Sequence, residues 1–463
     1  MKSIYLPILF FVTSAADAQS TNDSLFLRRL TAEVMRNSTA YENLRVLTKT
    51  IGGRLAGSPQ MVKAEQWGLA TMQKAGADKV WMQECQVPHW VRGGRDKASA
   101  KPIQDSKSKI GKWHRKDLAV IALGNSIGSM QPLTAQVIEV KSFDDLEEKK
   151  DSVRGKIVFY NYAFNPTFVK TFQAYADASP YRSQGPVRAA RYGAAAVMVR
   201  SMSHSTDNEP HTGATRYNDS IQKIPAVAVG LKDADWLSNT LRQQKVEVTL
   251  QTFGRFLPDT TGHNIIAELR GTEFPNEYIT VGGHLDSWDN CEGAHDDGAG
   301  CVQTIEILRA FKALGHQPKR TIRFVLFANE ENGLRGGNKY AEEAKAKGEK
   351  HIFALESDAG GFTPRGFGIT ASDAAFKKIQ SWQPLLAALG GGEIARGGGG
   401  ADIGPLGRDG SGTVLAGLQP DSQRYFDFHH ARTDVFEAVN KRELELGALN
   451  MAALIYLVDK YGL

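Results

Sequence analysis

Apolar and polar positions along the chain fall into three stretches with different rhythms. Up to about residue 117, Met61, Leu69 and Met72 recur among charged residues and predict a helix over 60–75, with an extended piece over 79–87. The polar, lysine-rich run over 95–116 predicts a solvated surface loop. From 118 to 256 the apolar segments are short and bounded by turns. They predict strands over 118–123, 134–140, 156–160, 194–199, 225–229 and 246–251, with a helix from 189 running through Gly193 into one of them. From 257 to 463 strands alternate with helices: strands over 264–268, 278–282, 321–328, 352–355 and 413–415, helices over 299–314, 338–347, 374–389 and 441–461. Alternation of this kind predicts an α/β fold, a mixed, largely parallel sheet sandwiched by helices. Ligand sites in such sheets lie beyond the carboxyl ends of the strands.

Composition adds limits. A chain of 463 residues is too long for one compact core, and 41% hydrophobic with 23% charged residues is ordinary for a soluble globular protein. The net charge of +5 comes from mixed charges with no basic stripe, which excludes a nucleic-acid partner. Lys2, the apolar run over 4–12 and Ala16-Asp17-Ala18 before Gln19 predict a signal peptide over 1–18, hence export to a secreted, periplasmic or lumenal location. That run is about half the ~20 residues a bilayer span needs, and no later run is longer, so no membrane span is expected. Cys85, Cys291 and Cys301 are too few for a disulfide scaffold and read as packing residues; pairing of Cys291 with Cys301 stays open.

The chemistry gathers behind the strands of the third stretch. After the strand over 278–282 comes His284-Leu285-Asp286; Asp296 lies in His295-Asp296-Asp297-Gly298, just before a helix. Glu330-Glu331 follows the strand over 321–328, and Glu356-Ser357-Asp358 follows that over 352–355. Phe428-His429-His430 stands near the C-terminus. Singly these are ordinary caps and loop charges; together they put imidazoles and carboxylates along one edge of one sheet. Imidazole plus carboxylate without cysteine suits Zn²⁺. A pair of metals ~3.5–4 Å apart needs one bridging carboxylate besides terminal ligands, and the inventory supplies that set with one glutamate to spare. Asp286, two residues past His284, is placed to accept the imidazole N–H. HExxH is absent, so a helical single-zinc site lacks its ligands.

The order HxD, DDGxG, EE, SDAG, FHH resembles the M28 metallopeptidases, with similarity over nearly the whole mature chain. The resemblance implies a zinc-exopeptidase fold with two Zn²⁺ per chain. His284 and Asp358 would hold one zinc, Glu331 and His430 the other, and Asp296 would bridge them. Glu330 would be the general base acting on a metal-bridging hydroxide. His429, where relatives often carry a tyrosine, supports the oxyanion or makes a structural hydrogen bond. His295 is left open between ligand, substrate contact and surface residue, with non-ligand favoured. Asp402 resembles a position near the substrate and would receive a free α-amino group. The 118–256 stretch resembles a β-rich protease-associated insert, which divides the peptidase domain into 19–117 and 257–463. The implied activity is hydrolysis of dipeptides or short peptides by a homodimer.

A receptor-like ectodomain of this architecture would lack the ligands, and a glutaminyl cyclase would use one zinc. Gly124-Asn125-Ser126-Ile127-Gly128 satisfies GxSxG, yet it leads toward another strand instead of a helix, against a serine nucleophile. The glycine-rich run over 390–404 lacks the Lys-Ser or Lys-Thr of a phosphate loop and reads as a mobile border of the cleft.

Overall fold

A computed structural model describes residues 14–103, 114–408 and 410–463; residues 1–13 of the expected signal peptide lie outside the described residues. Two eight-stranded sheets organise the chain. The first runs in the order Lys79–Val91, Arg255–Leu269, Arg320–Phe327, Phe274–His284, Lys350–Glu356, Val414–Pro420, Pro364–Thr370, Glu393–Arg396. The four middle strands, from Arg320–Phe327 to Val414–Pro420, are parallel neighbours, while antiparallel pairings join them to the flanking strands. Successive side chains of a strand point to opposite faces, and both faces here are covered. Ile322, Phe324 and Leu326 pack with the helices Ala299–Ala313 and Lys441–Tyr461, whereas Val325 and Phe327 meet Tyr340 and Ala344 of Arg335–Ala346. Each large apolar side chain so buried contributes ~1.5–3 kcal/mol.

The helices begin where local chemistry lets them. Ser58 caps Pro59–Lys74 by accepting the Met61 N–H at 3.1 Å, with proline in the first turn. Asn440 caps Lys441–Tyr461 by accepting from Arg442 and Glu443. A helix absent from the sequence expectation, Ser14–Asn37, lies against this last one. Buried Asp23 accepts there from Tyr456 Oη at 2.9 Å and Tyr461 Oη at 2.6 Å, and it pairs with Lys460.

The second sheet contains only strands between residues 97 and 251, in the order Lys116–Leu118, Lys97–Pro102, Val246–Gln251, Leu133–Val140, Ile157–Tyr160, Ala196–Arg200, Ala226–Val229, Val120–Ala122. It departs from expectation in two ways. Within the run read as a solvated loop, Lys97–Pro102 is a strand paired with Val246–Gln251, because Ala98, Ser99 and Ala100 are small enough to be buried between the lysines; residues 104–113 of that run lie outside the described residues. The sheet therefore starts well before residue 118. This half is also less purely β than expected, since Phe143–Glu148, Thr171–Ser183 and Leu231–Leu241 are helices. The two halves share a core: Phe362, Tyr425 and Phe426 pack among Tyr160, Ala174, Ala178 and Tyr181. That shared core fixes the second sheet over the carboxyl ends of the first.

Candidate metal centre

The parallel strands deliver the side chains. His284 is the last residue of Phe274–His284, Glu330 and Glu331 lie just beyond Arg320–Phe327, and Asp358 lies just beyond Lys350–Glu356. Asp296 comes from the turn before Ala299–Ala313, and the Asp296–Asp297 peptide is cis. His430, at φ 61°, follows the short helix Tyr425–Phe428. All five expected ligands meet. His284 Nε2 lies 3.2 Å from Asp296 Oδ1 and 3.5 Å from Asp358 Oδ1. On the other side, His430 Nε2 lies 3.3 Å from Asp296 Oδ2 and 3.1 Å from Glu331 Oε2. Asp296 thus turns one oxygen to each histidine–carboxylate pair, which is what a bridging ligand must do.

The electrostatics describe a site made for cations. His284 Nε2, Asp296 Oδ2 and Glu331 Oε1 are buried with no hydrogen-bond partner, a costly state for polar atoms unless another group satisfies them. Burial alone would lower the His284 pKa, yet Asp286, Asp296 and Asp358 around it raise it well above the usual value. Burial lifts the Glu331 carboxyl to about 7 and that of Glu330 well above its usual range, with neighbouring carboxylates adding to both. Cations placed among these groups would relieve the crowding of negative charge. The donor set of two imidazoles and three carboxylates fits borderline-hard zinc.

Supporting contacts fix the ligands. His284 Nδ1 donates to the main-chain oxygen of Asp286 at 3.0 Å, leaving Nε2 free. The Asp286 carboxylate, expected to be that partner, is 3.7 Å from Nδ1. It accepts the N–H groups of Glu330 at 3.0 Å and Glu331 at 3.3 Å instead. The reason is that the strand stops at His284, so strand alternation no longer applies two residues later. His430 Nδ1 is held by the Thr212 carbonyl at 3.3 Å, and the Thr212 N–H donates back to the His430 carbonyl at 3.1 Å. Thr212 belongs to the second half of the molecule.

Sequence reasoning missed several residues. Asp434 accepts from the His295 and Asp296 N–H groups at 2.7 and 3.1 Å, and burial lifts its carboxyl to about 7. Asp297 accepts from the His284 N–H at 3.0 Å, and a Cβ on Gly283 would come within 2.3 Å of its carboxylate, so glycine is needed there. Fully buried Arg54 donates to the carbonyls of Leu285, Glu292 and Gly293. Asp434 lies four residues past His430; Arg54, far upstream, carried no signal.

The remaining candidates fall out as follows. His295 accepts the Gly361 N–H on Nδ1 at 3.1 Å, has Nε2 3.3 Å from the Ala438 carbonyl and stacks on Phe362 at 4.2 Å; burial lowers its pKa to about 4. Both ring nitrogens are engaged away from the cluster. His429 stacks on His430 at 3.5 Å, with Nε2 3.8 Å from Asp296 Oδ2. Burial and the neighbouring His430 hold it neutral, with its pKa well below the usual value. Asp402 is fully buried and is not among the residues lining the cavity; its N–H and that of Ile403 donate to Glu356 Oε2. Part of the glycine-rich run is a strand, Glu393–Arg396. Ser126 is buried, accepts the Ala226 N–H and donates to the Ile127 carbonyl, and among the described residues no histidine or carboxylate is hydrogen-bonded to it. All three cysteines are unpaired.

A cavity of about 500 Å³ opens over the cluster, lined by Asp296, Glu330, Glu331, Asp358, His429 and His430 and, from the second half, by residues of Thr171–Ser183. The size suits a small ligand.

Comparison with known proteins gives its class, a metallopeptidase. The model of the family described as Peptidase family M28 matches residues 264–455. Carboxypeptidase Q of Mus musculus is 35% identical over 421 residues, covering 90% of this chain and 85% of that protein. That of Homo sapiens is 34% identical over 421 residues with the same coverage, 90% and 85%. Among solved structures, a peptidase M28 precursor from Shewanella amazonensis SB2B superimposes with a TM-score of 0.88 at 31% identity, covering 96% of this chain and 98% of that one. A zinc aminopeptidase from Bacillus subtilis shares the fold at a TM-score of 0.62 and 21% identity, covering 90% and 93%. The chain belongs to peptidase family M28. Among the described residues, no helix is long and apolar enough to cross a membrane.

Proposed function

We propose that this protein is an exported dizinc exopeptidase that hydrolyses dipeptides or short peptides. The observation that carries the reading is the Asp296 carboxylate, which presents one oxygen to His284 and the other to His430. His284 and Asp358 would hold one zinc, Glu331 and His430 the second, and Asp296 both. Bound there, zinc supplies Lewis-acid polarisation of a carbonyl and draws the pKa of water down toward ~7.

The chain's own groups do the rest. Glu330, at the cavity wall, takes the proton of the attacking water and delivers it to the leaving amine. Asp286 holds that glutamate's backbone, and Thr212 orients the His430 ring. His429, neutral, has an N–H to offer to the carbonyl oxygen as charge develops. Residues 118–256 would form a protease-associated insert, its sheet extending back to Lys97, and the protein would act as a homodimer. A receptor-like role would leave five filled ligand positions without purpose.

The test pairs metal counting with a dipeptide panel for wild type and Glu330→Gln. Two zinc ions per chain are expected in both, with turnover of the variant lower by about 10²–10⁴-fold. A purified protein that binds no metal and cleaves no peptide would overturn the proposal.

A further inference from the structure

A groove of about 660 Å³ lies apart from the metal cluster and shares no lining residue with the cavity above it. One wall is the helix Ser14–Asn37, where Leu27, Thr31 and Met35 form a row at four-residue spacing. The other wall carries Leu385, in the short helix Gln383–Ala387, and Leu389 just beyond it. Rows at this spacing are the ridges of a helix surface, and the space between two ridges accepts the side chains of a further helix. The floor is apolar: Leu27 belongs to the main core, while Met35, Leu385 and Leu389 are only half-buried against it.

Arg28, Arg36 and Arg442 rim the groove, all three exposed. Among the described residues none of them makes an ion pair with a carboxylate; the Arg28 Nε donates to the Ser24 carbonyl at 3.3 Å. The acids on the same helices are engaged elsewhere. Glu33 pairs with Arg309 at 2.7 Å, Glu443 accepts from Thr363, and Glu445 lies 3.8 Å from Lys441. Arg28 and Arg36 are eight residues apart on one helix, hence about 12 Å apart along its axis. Three cations spread over that length match a row of carboxylates better than one anionic head group.

We infer that this groove seats an acidic amphipathic helix of a partner protein. Its apolar face would lie on Leu27, Met35, Leu385 and Leu389, with its carboxylates against Arg28, Arg36 and Arg442. Such recognition uses apolar anchors at i, i+3 or i+4 and i+7, and a guanidinium at the rim receives a carboxylate in a planar fork. Residues 1–13 of this chain carry no acidic side chain, so they do not match the rim. The inference is independent of the peptidase reading, since the groove contains none of the metal-type side chains.

The probe is a fluorescent helical peptide of about 20 residues, blocked at both ends against trimming, with leucines on one face and glutamates flanking them. Its binding to the purified protein is followed by fluorescence anisotropy. Saturable binding to wild type is expected, weaker by about tenfold or more in the double variant Arg28→Glu, Arg36→Glu and in Arg442→Glu, because like charges then face each other. A probe with lysines in place of the glutamates should reverse that order. The variants should keep the wild-type Tm; should the double variant melt early, Arg442→Glu on the other wall decides alone. Absence of binding, or equal binding by wild type and variants, overturns the inference. So does equal binding of a glutamate peptide without leucines, which would mean charge attraction alone. Tighter binding of phosphatidylglycerol vesicles than of the helix would assign the groove to a lipid surface instead, and release of a wild-type dimer by the probe would assign it to a second copy of this chain.

Discussion

Both halves of the molecule are eight-stranded sheets, but they meet the cavity differently. The first sheet ends its parallel strands in His284, Glu330, Glu331 and Asp358. The second supplies no expected ligand; it contributes Thr212 behind His430, and Arg182 and Arg216 in the cavity wall. One half carries the acidic and imidazole cluster, and the other packs against it. The contrast teaches that a cluster of metal-type side chains and the facing wall of the same cavity can belong to separate sheets.

Substitutions can break that division or sharpen it. The largest effect is expected from Asp296→Ala, which removes the group shared by both histidine–carboxylate pairs: zinc content should fall below one per chain and turnover by about 10²–10³-fold, measured by elemental analysis and steady-state kinetics. Asp286→Ala frees the Glu330–Glu331 backbone, and activity or zinc affinity should drop about 10–100-fold; a wild-type level of both would show that these contacts are dispensable. In the second half, Gly213→Ala forces a side chain into a left-handed position and against Arg182. It should destabilise the protein by about 1–3 kcal/mol and raise KM more than it lowers kcat; an effect on kcat alone would blur the contrast between the halves.

The smallest effect concerns stability away from the cavity. Burial would raise the Glu349 pKa, but His351 and Arg323 overcome this and lower it to about 2. Its stabilisation is therefore full above the ordinary carboxyl pKa and is lost as pH falls through the folded value. Glu349→Gln should reduce Tm by about 2–4 °C at pH 7 and by almost nothing near pH 2. A deficit independent of pH would point to lost packing instead.

Three of the five candidate ligands, His284, Glu331 and Asp358, were legible because each stands at or just beyond the end of an apolar strand, whereas Asp296 and His430 were legible only by the motifs around them. The middle strands and the helix Lys441–Tyr461 were legible as long apolar runs with clear period. The second half was harder. Thr171–Ser183 buries Thr171, Ala174, Ala178 and Tyr181, small or polar residues for the most part, and Pro180 interrupts its pattern. Lys97–Pro102 hides its buried residues between lysines. Arg54, Thr212 and Asp434 act through backbone groups of residues distant in sequence, and no local pattern encodes such a meeting. Asp286 was found, but it takes the His284 N–H on its main-chain oxygen and turns its carboxylate mainly to the Glu330 and Glu331 N–H groups, since the strand's end could not be read to one residue.

The reciprocal backbone contact between Thr212 and His430 has a bearing on biosynthesis. Residue 212 leaves the ribosome long before residue 430, so the loop that seats the His430 ring is made well ahead of the ring itself, and the cluster of five side chains cannot assemble until residue 430 has emerged.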